Sequence, residues 1–187
     1  KSLIGPPIRE IAATCIPGIS STELHVFEKH FRHHYDSEDF LFVKWYPGAL
    51  EWISSTCQHI LPFYIVTNKP TLITKSIISS AGIGNCFVDV IGIDYRVVNR
   101  TGIPFKDKSD AINFLLTSLN INPCSVLYLG DTPSDLKSCF KNNVKFVAAT
   151  YGFHDWSSQE IGTNLRASSF KDVINIVSTV TKSHICN

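Results

Sequence analysis

Apolar residues recur in two different periods along this chain, and the change from one to the other falls near Tyr46. Before that point the period is helical. Pro6-Pro7 is placed to open a helix with apolar positions Ile8, Ile11, Ala12 and Cys15. A second helix is predicted after Ser20, where Glu23 completes a capping-box spacing and Leu24, Phe27, Phe31 and Tyr35 mark one face. From Tyr46 onward, short apolar runs of strand length alternate with helical stretches. Pro47-Gly48 opens a helix to about His59, and a strand from Pro62 to Val66 ends in Thr67-Asn68-Lys69-Pro70. A helix from about Thr71 to Ala81 stops at Gly82, and a strand from Phe87 to Ile93 closes near Asp94. Beyond a loop through Gly102 and Pro104 the pattern predicts a helix from about Lys108 to Leu119, a strand Ser125–Leu129, a helix from Pro133 to about Lys141 and a strand from Lys145 to Ala149. A last helix spans Ala167 to Thr181, with Phe170, Val173, Ile174 and Val177 inward. This alternation predicts an α/β fold: a three-layer arrangement with a parallel sheet, right-handed crossovers and helices on both faces.

Composition narrows the function classes. A chain of 187 residues, 44% hydrophobic and 18% charged, has enough apolar material for one folded core with a small appendage. The net charge of +1 and the lack of any Lys/Arg run argue against a nucleic-acid partner. No apolar stretch reaches membrane-spanning length and no signal peptide opens the chain, so neither a membrane nor export is expected. Six scattered cysteines without C-x-x-C spacing read as reduced thiols of a cytoplasmic protein, and Asn99-Arg100-Thr101 then matches a glycosylation acceptor by chance. His25, His30, His33 and His34 have no neighbouring acid or cysteine in a ligand pattern and read as solvated. The absence of any methionine places the initiator outside the sequence.

Chemistry concentrates at Val126-Leu127-Tyr128-Leu129-Gly130-Asp131-Thr132-Pro133-Ser134-Asp135. An apolar strand ends at a glycine, an acid follows at once, and a second acid comes beyond a turn that can start a helix. Ligands collect at the carboxyl edge of a parallel sheet, where two carboxylates can share a hard cation such as magnesium. Alternatively, Asp131 caps the next helix and Asp135 lies in its first turn, both favoured by the exposed amides there. Thr67, Asn68 and the loop carrying Lys106 converge on the same edge if the sheet is parallel, a set suited to phosphate. Each has a plainer reading: Thr67 as a helix cap, Lys106 or Lys108 as a solvated loop lysine.

Val66-Thr67-Asn68-Lys69-Pro70, a lysine at Lys106 and Tyr128-Leu129-Gly130-Asp131-Thr132-Pro133-Ser134-Asp135 resemble, in order and spacing, motifs two, three and four of the haloacid dehalogenase superfamily. Lys106 stands at the separation from Gly130 typical of the phosphoglycolate-phosphatase-like branch and is preferred to Lys108, although the branch's Lys-Pro is Lys106-Asp107 here. Ile4-Gly5-Pro6-Pro7-Ile8-Arg9-Glu10 looks like the start of that branch's second cap helix, and Ala149-Thr150-Tyr151-Gly152-Phe153 like its strand and turn after motif four. The resemblance implies a Rossmannoid core over residues 46–187 and part of a small helical cap over 1–45. It implies that Thr67 and Asn68 bind the transferring phosphoryl group, Lys106 stabilises its charge, Asp131 and Asp135 hold Mg2+, and Arg9 reaches the substrate from the cap.

The family's first motif, an Asp-x-Asp after a central strand that supplies the nucleophile, does not occur in the sequence. Removing a central strand leaves unpaired backbone groups costing about 1–3 kcal/mol each. The sequence is therefore expected to begin inside the cap, with roughly 30–40 residues upstream. Otherwise a partner, or a homodimer that exchanges a strand, fills the place. The implied activity is magnesium-dependent hydrolysis of a small phosphorylated metabolite, phosphoglycolate by branch, through an aspartyl-phosphate. The alternatives are an inactive phosphate- or magnesium-binding module and, less favoured, a sugar phosphomutase.

Overall fold

In a computed structural model of the chain, residues 6, 8–36, 43–57, 61–93, 102–162 and 164–185 are described. The start of the sequence, His59, Asp94, the Asn99–Thr101 tripeptide and Cys186 lie outside them. Two helices come first, α1 (Ile8–Cys15) and α2 (Ser21–Asp36). The capping box expected at the start of α2 is present: the Ser20 N–H donates to Glu23 Oε2 at 2.9 Å, and the Glu23 N–H to Ser20 Oγ. All four histidines of α2 are exposed.

The alternating part runs α3 (Ala49–Cys57), β1 (Phe63–Thr67), α4 (Thr71–Ser80), β2 (Phe87–Gly92), α5 (Lys108–Ser118), β3 (Leu127–Gly130), α6 (Pro133–Lys141), β4 (Lys145–Ala149), α7 (Ser158–Ile161), β5 (Leu165–Ala167) and α8 (Phe170–Ile185). The pairings among the described strands are parallel, β1 with β2, β3 with β4 and β4 with β5. The expected α/β architecture is present, with two short elements, α7 and β5, that the sequence pattern does not predict. Ala167 ends a strand rather than starting the last helix, which begins at Phe170. A three-residue strand is too short to show a period of two, and α7, a single turn started by the Ser157–Glu160 capping box, is too short to show a helical one.

The sheet comes in two parts, β1–β2 and β3–β4–β5. Between them lies an apolar slot of about 380 Å³, bounded by Phe63, Tyr64 and Val66 of β1, Leu127 and Tyr128 of β3, and Leu115 and Leu116 of α5. The slot leaves β1 only half-buried along its whole length, whereas β4 is buried from Phe146 to Ala149. Helices cover both faces of β4. Phe146 and Ala148 pack with Ile112, Leu116 and Cys139 of α5 and α6, and Val147 packs with Val173 of α8.

Among the described residues no helix is long and apolar enough to cross a membrane. The cysteines depart from expectation. Cys57 at the end of α3 is disulfide-bonded to Cys86 before β2, while Cys15, Cys124 and Cys139 are free. Six reduced thiols can therefore no longer serve as the argument for a cytoplasmic location.

Phe146, 2% exposed, should cost about 3–5 kcal/mol on truncation to alanine. Phe140→Ala, at a position 83% exposed, should change stability by no more than about 0.5 kcal/mol. Urea unfolding of both variants measures the difference.

Candidate active site

The carboxyl ends of β1, β3 and β4 open on one edge, and each contributes a loop. The β3 loop is the most constrained. Thr132, with extended backbone, caps α6, and Pro133 occupies the helix's first turn, where its missing N–H costs nothing. Asp135 completes a capping box: its Oδ2 accepts from the Thr132 N–H at 3.1 Å and from the Thr132 hydroxyl at 2.6 Å. Its Oδ1 accepts from Lys108 Nζ at 2.7 Å and from the Tyr128 hydroxyl at 3.0 Å. Asp135 is 2% exposed, so these four donors replace water. They also fill the roughly four acceptor positions of a carboxylate.

The expectation that Asp135 shares a cation with Asp131 therefore does not match its surroundings. Its acid is taken up in capping α6 and pairing Lys108, as the helix-capping alternative foresaw for the first turn. Asp131 differs. It is half-buried, its Oδ2 accepts from the Phe153 N–H at 3.0 Å, and among the described residues its Oδ1 has no hydrogen-bond partner. Two glycines make room for the acids. A Cβ on Gly130 would lie 2.5 Å from the Cβ of Asp135, and one on Gly152 would overlap the Cβ of Asp131.

The lysine brought to the acids is Lys108. It is the first residue of α5, its side chain is 11% exposed, and its ammonium meets Asp135. Lys106 is exposed, and its contact is a backbone one, the N–H donating to Asp110 Oδ2 at 3.2 Å. The missed signal was the start of α5 itself. Asp107 is its N-cap, accepting from the Asp110 N–H, which turns Lys106 outward ahead of the helix and places Lys108 in the first turn beside α6.

At the end of β1 the Thr67 hydroxyl accepts from the Lys69 N–H at 3.1 Å, and Asn68 is half-buried beside it. Lys69 Nζ donates to Tyr35 Oη of α2 at 2.7 Å and lies 5.4 Å from that ring's centre. Tyr128 ties this loop to the acids, since its hydroxyl also meets the Val66 carbonyl at 3.1 Å. Burial, then the charge of Asp135 and the hydrogen bond to it, hold the Tyr128 phenol well above its usual pKa, so it remains a donor. Cys139, the thiol nearest this cluster, is pushed up to about 12 by burial and by Asp135, against the opposing pull of Lys108. It is no nucleophile at neutral pH. The Arg9 guanidinium pairs with Glu28 at 2.9 Å, and among the described residues no contact joins it to this edge.

Among the described residues no group of three His, Cys, Asp or Glu side chains could hold a metal. Magnesium needs fewer from the protein, since it keeps waters and commonly takes one or two carboxylates with substrate phosphate. The free Oδ1 of Asp131 fits that need, and the saturated carboxylate of Asp135 does not.

The profile of a family described as haloacid dehalogenase-like hydrolase matches residues 1–149. Among curated proteins, a phosphoglycolate phosphatase of Photobacterium profundum is 30% identical over 58% of this chain and 45% of its own length. One of Pectobacterium atrosepticum is 24% identical over 81% and 61%. The chain thus spans about half the length of the curated relatives it matches. A Clostridium acetobutylicum crystal structure, described as a predicted phosphatase, superposes with a TM-score of 0.80 at 21% identity, covering 95% of this chain and 80% of that one. A Haemophilus somnus structure described as a predicted phosphoglycolate phosphatase gives 0.71 at 18%, covering 94% and 80%. At these identities the structural likeness speaks for the fold.

The two acids should separate in a stability measurement. Asp135→Ala strands Lys108 and should cost about 3–5 kcal/mol in urea unfolding. Asp131→Ala gives up one hydrogen bond near the surface and should cost no more than about 1 kcal/mol.

Proposed function

Because the chain belongs to the haloacid dehalogenase-like hydrolase family, we propose that it acts as a magnesium-dependent phosphatase on a small phosphorylated metabolite, with a phosphoglycolate-like monoester as the first candidate. The observation that carries this reading is the junction of the three loops. A free carboxylate oxygen on Asp131, an ammonium fixed by Asp135 and the Thr67-Asn68 turn all stand at one sheet edge.

In this reading Thr67 and Asn68 grip the phosphoryl oxygens and Lys108, rather than Lys106, balances their growing charge. Asp135 is a positioning residue, holding Lys108 at 2.7 Å. Asp131 would hold magnesium, which when bound neutralises phosphoryl charge. Residues 1–45 act as part of a cap over the edge and 46–187 as the core. The attacking group is an aspartate outside this sequence, on a strand that pairs with β1 and β3 and fills the slot between them. Its carboxylate would displace the alcohol of the monoester at phosphorus to give an aspartyl-phosphate, which water then hydrolyses to free aspartate and inorganic phosphate. The slot supports that placement, because a strand seated there would end between Thr67 and Asp131. A cytoplasmic location fits a small-metabolite phosphatase.

The absence of an Asp-x-Asp from the sequence favours a second reading, a phosphate- or magnesium-binding module without turnover. The phosphatase reading expects release of inorganic phosphate from the natural full-length protein. Lys108→Met should lower kcat by about 10²–10³ with magnesium affinity unchanged. Asp131→Asn should weaken magnesium and turnover together, and Lys106→Met should leave both within about twofold. Full-length protein that binds phosphate and magnesium but releases none from any monoester would establish the module instead.

A further inference from the structure

The turn after β4 is tied at both ends, and its middle rests on Asp131. A Cβ on Gly152 would overlap Asp131, and the Phe153 N–H donates to Asp131 Oδ2 at 3.0 Å. On one side the Tyr46 hydroxyl donates to the Tyr151 carbonyl at 3.4 Å, and the two rings meet edge to face with centres 4.6 Å apart. On the other, His154 Nε2 meets Glu160 Oε1 at 3.0 Å, and the His154 ring stands edge-on to Trp156, which packs on Phe146 of β4. Hydrogen bonds from Ser157, then from His154, hold the Glu160 carboxyl down at about 2. Glu160 is therefore an acceptor only, and His154 Nε2 carries the proton between them.

The start of α7 does not require this bond. Its capping box uses Glu160 Oε2, which accepts from the Ser157 N–H at 2.8 Å and from the Ser157 hydroxyl at 2.7 Å, and Oε1 is left to His154. What His154 adds is a tie on the turn. Phe153 is 53% exposed, too little buried to fix the turn by its own packing.

We propose that His154 and Tyr46 are positioning residues for the cation site: by clamping the turn they hold the Phe153 N–H on Asp131 Oδ2 and leave Oδ1 for the metal. This rests on the reading of Asp131 as a magnesium ligand. A ligating carboxylate is oriented by the hydrogen bond that it accepts outside the metal, and loss of such a contact typically costs about 10–100-fold in metal affinity. Here the donor is a backbone N–H, so the chain controls it through the side chains that place the turn.

Mn2+ titration of the full-length protein, read by the EPR signal of the free ion, tests this without turnover, since Mn2+ suits the same oxygen ligands as magnesium. His154→Leu should weaken Mn2+ by about tenfold or more, and Tyr46→Ala by about threefold or more. His154→Gln, whose amide N–H can reach Glu160 in place of the imidazole, should stay within about threefold of the wild type. In an Asp131→Asn background, His154→Leu should change Mn2+ affinity by less than about twofold, because the clamp acts only through that acid. A merely structural clamp would lower Tm and leave Mn2+ affinity where it was. Wild-type affinity in His154→Leu and Tyr46→Ala, with Asp131→Asn weakened, overturns the clamp alone, as does a loss that His154→Gln shares in full. Wild-type affinity in one of the two removes that residue from the proposal. Full-length protein that binds no Mn2+, or binds it equally well as Asp131→Asn, overturns the metal reading and the clamp together.

Discussion

The buried carboxylate of Asp135 is the contact on which the site's geometry depends. An isolated carboxylate at 2% exposure would be untenable, and four donors from three directions make it stable. Those donors belong to α5, β3 and the start of α6, and Tyr128 extends the link to β1 through the Val66 carbonyl. One side chain thereby fixes the relative positions of the elements that present Lys108, Asp131 and Thr67. It also explains Gly130, whose Cβ would occupy the space that the Asp135 side chain needs. A satisfied pair of this kind is rigid, and rigidity is what a site that stabilises charge by preorganisation requires.

The second constraint is the slot. Among the described residues β1 and β3 are each paired on one side only, and the single Tyr128 hydroxyl proton is shared between the Val66 carbonyl and Asp135. The walls are mostly apolar, from Phe63 to Leu116, so water gains little by entering, and among the described residues no strand pairs with the facing edges of β1 and β3. An alternating apolar strand would meet both needs at once. The same register would carry its carboxyl end to the edge where Asp131 and Thr67 already stand, which ties the proposed nucleophile to the fold's incomplete centre.

Most of the fold was legible because its elements are long enough to show a period or are marked by caps. The runs at Thr71, Lys108 and Pro133 begin where expected, each with Pro or a capping acid at its start. β5 was not legible, since three residues carry no period. At the site, sequence order identified the loops but not the division of labour within them. Asp131 and Asp135 look equivalent as letters, yet a helix start puts Asp135 inward among donors and leaves Asp131 at the rim. Lys106 and Lys108 differ by two positions, and only the onset of α5 after Asp107 decides which one meets the acids. Arg9 stood out in the sequence by resemblance, whereas the burial of Arg32 without an ionic partner among the described residues shows only in the structure.

That contrast separates two kinds of buried charge in one molecule. Lys108 and Asp135 neutralise each other and are saturated with hydrogen bonds, so their joint effect is internal: they hold elements in place. On α2 the buried Arg32 has no ionic partner among the described residues, while the carboxylate one turn before it, Glu28, serves the more exposed Arg9. A helix with Glu28 and Arg32 in favourable order could have satisfied Arg32 without any other element, and the cross-helix pair with Arg9 forgoes that. Structural economy alone does not favour this choice.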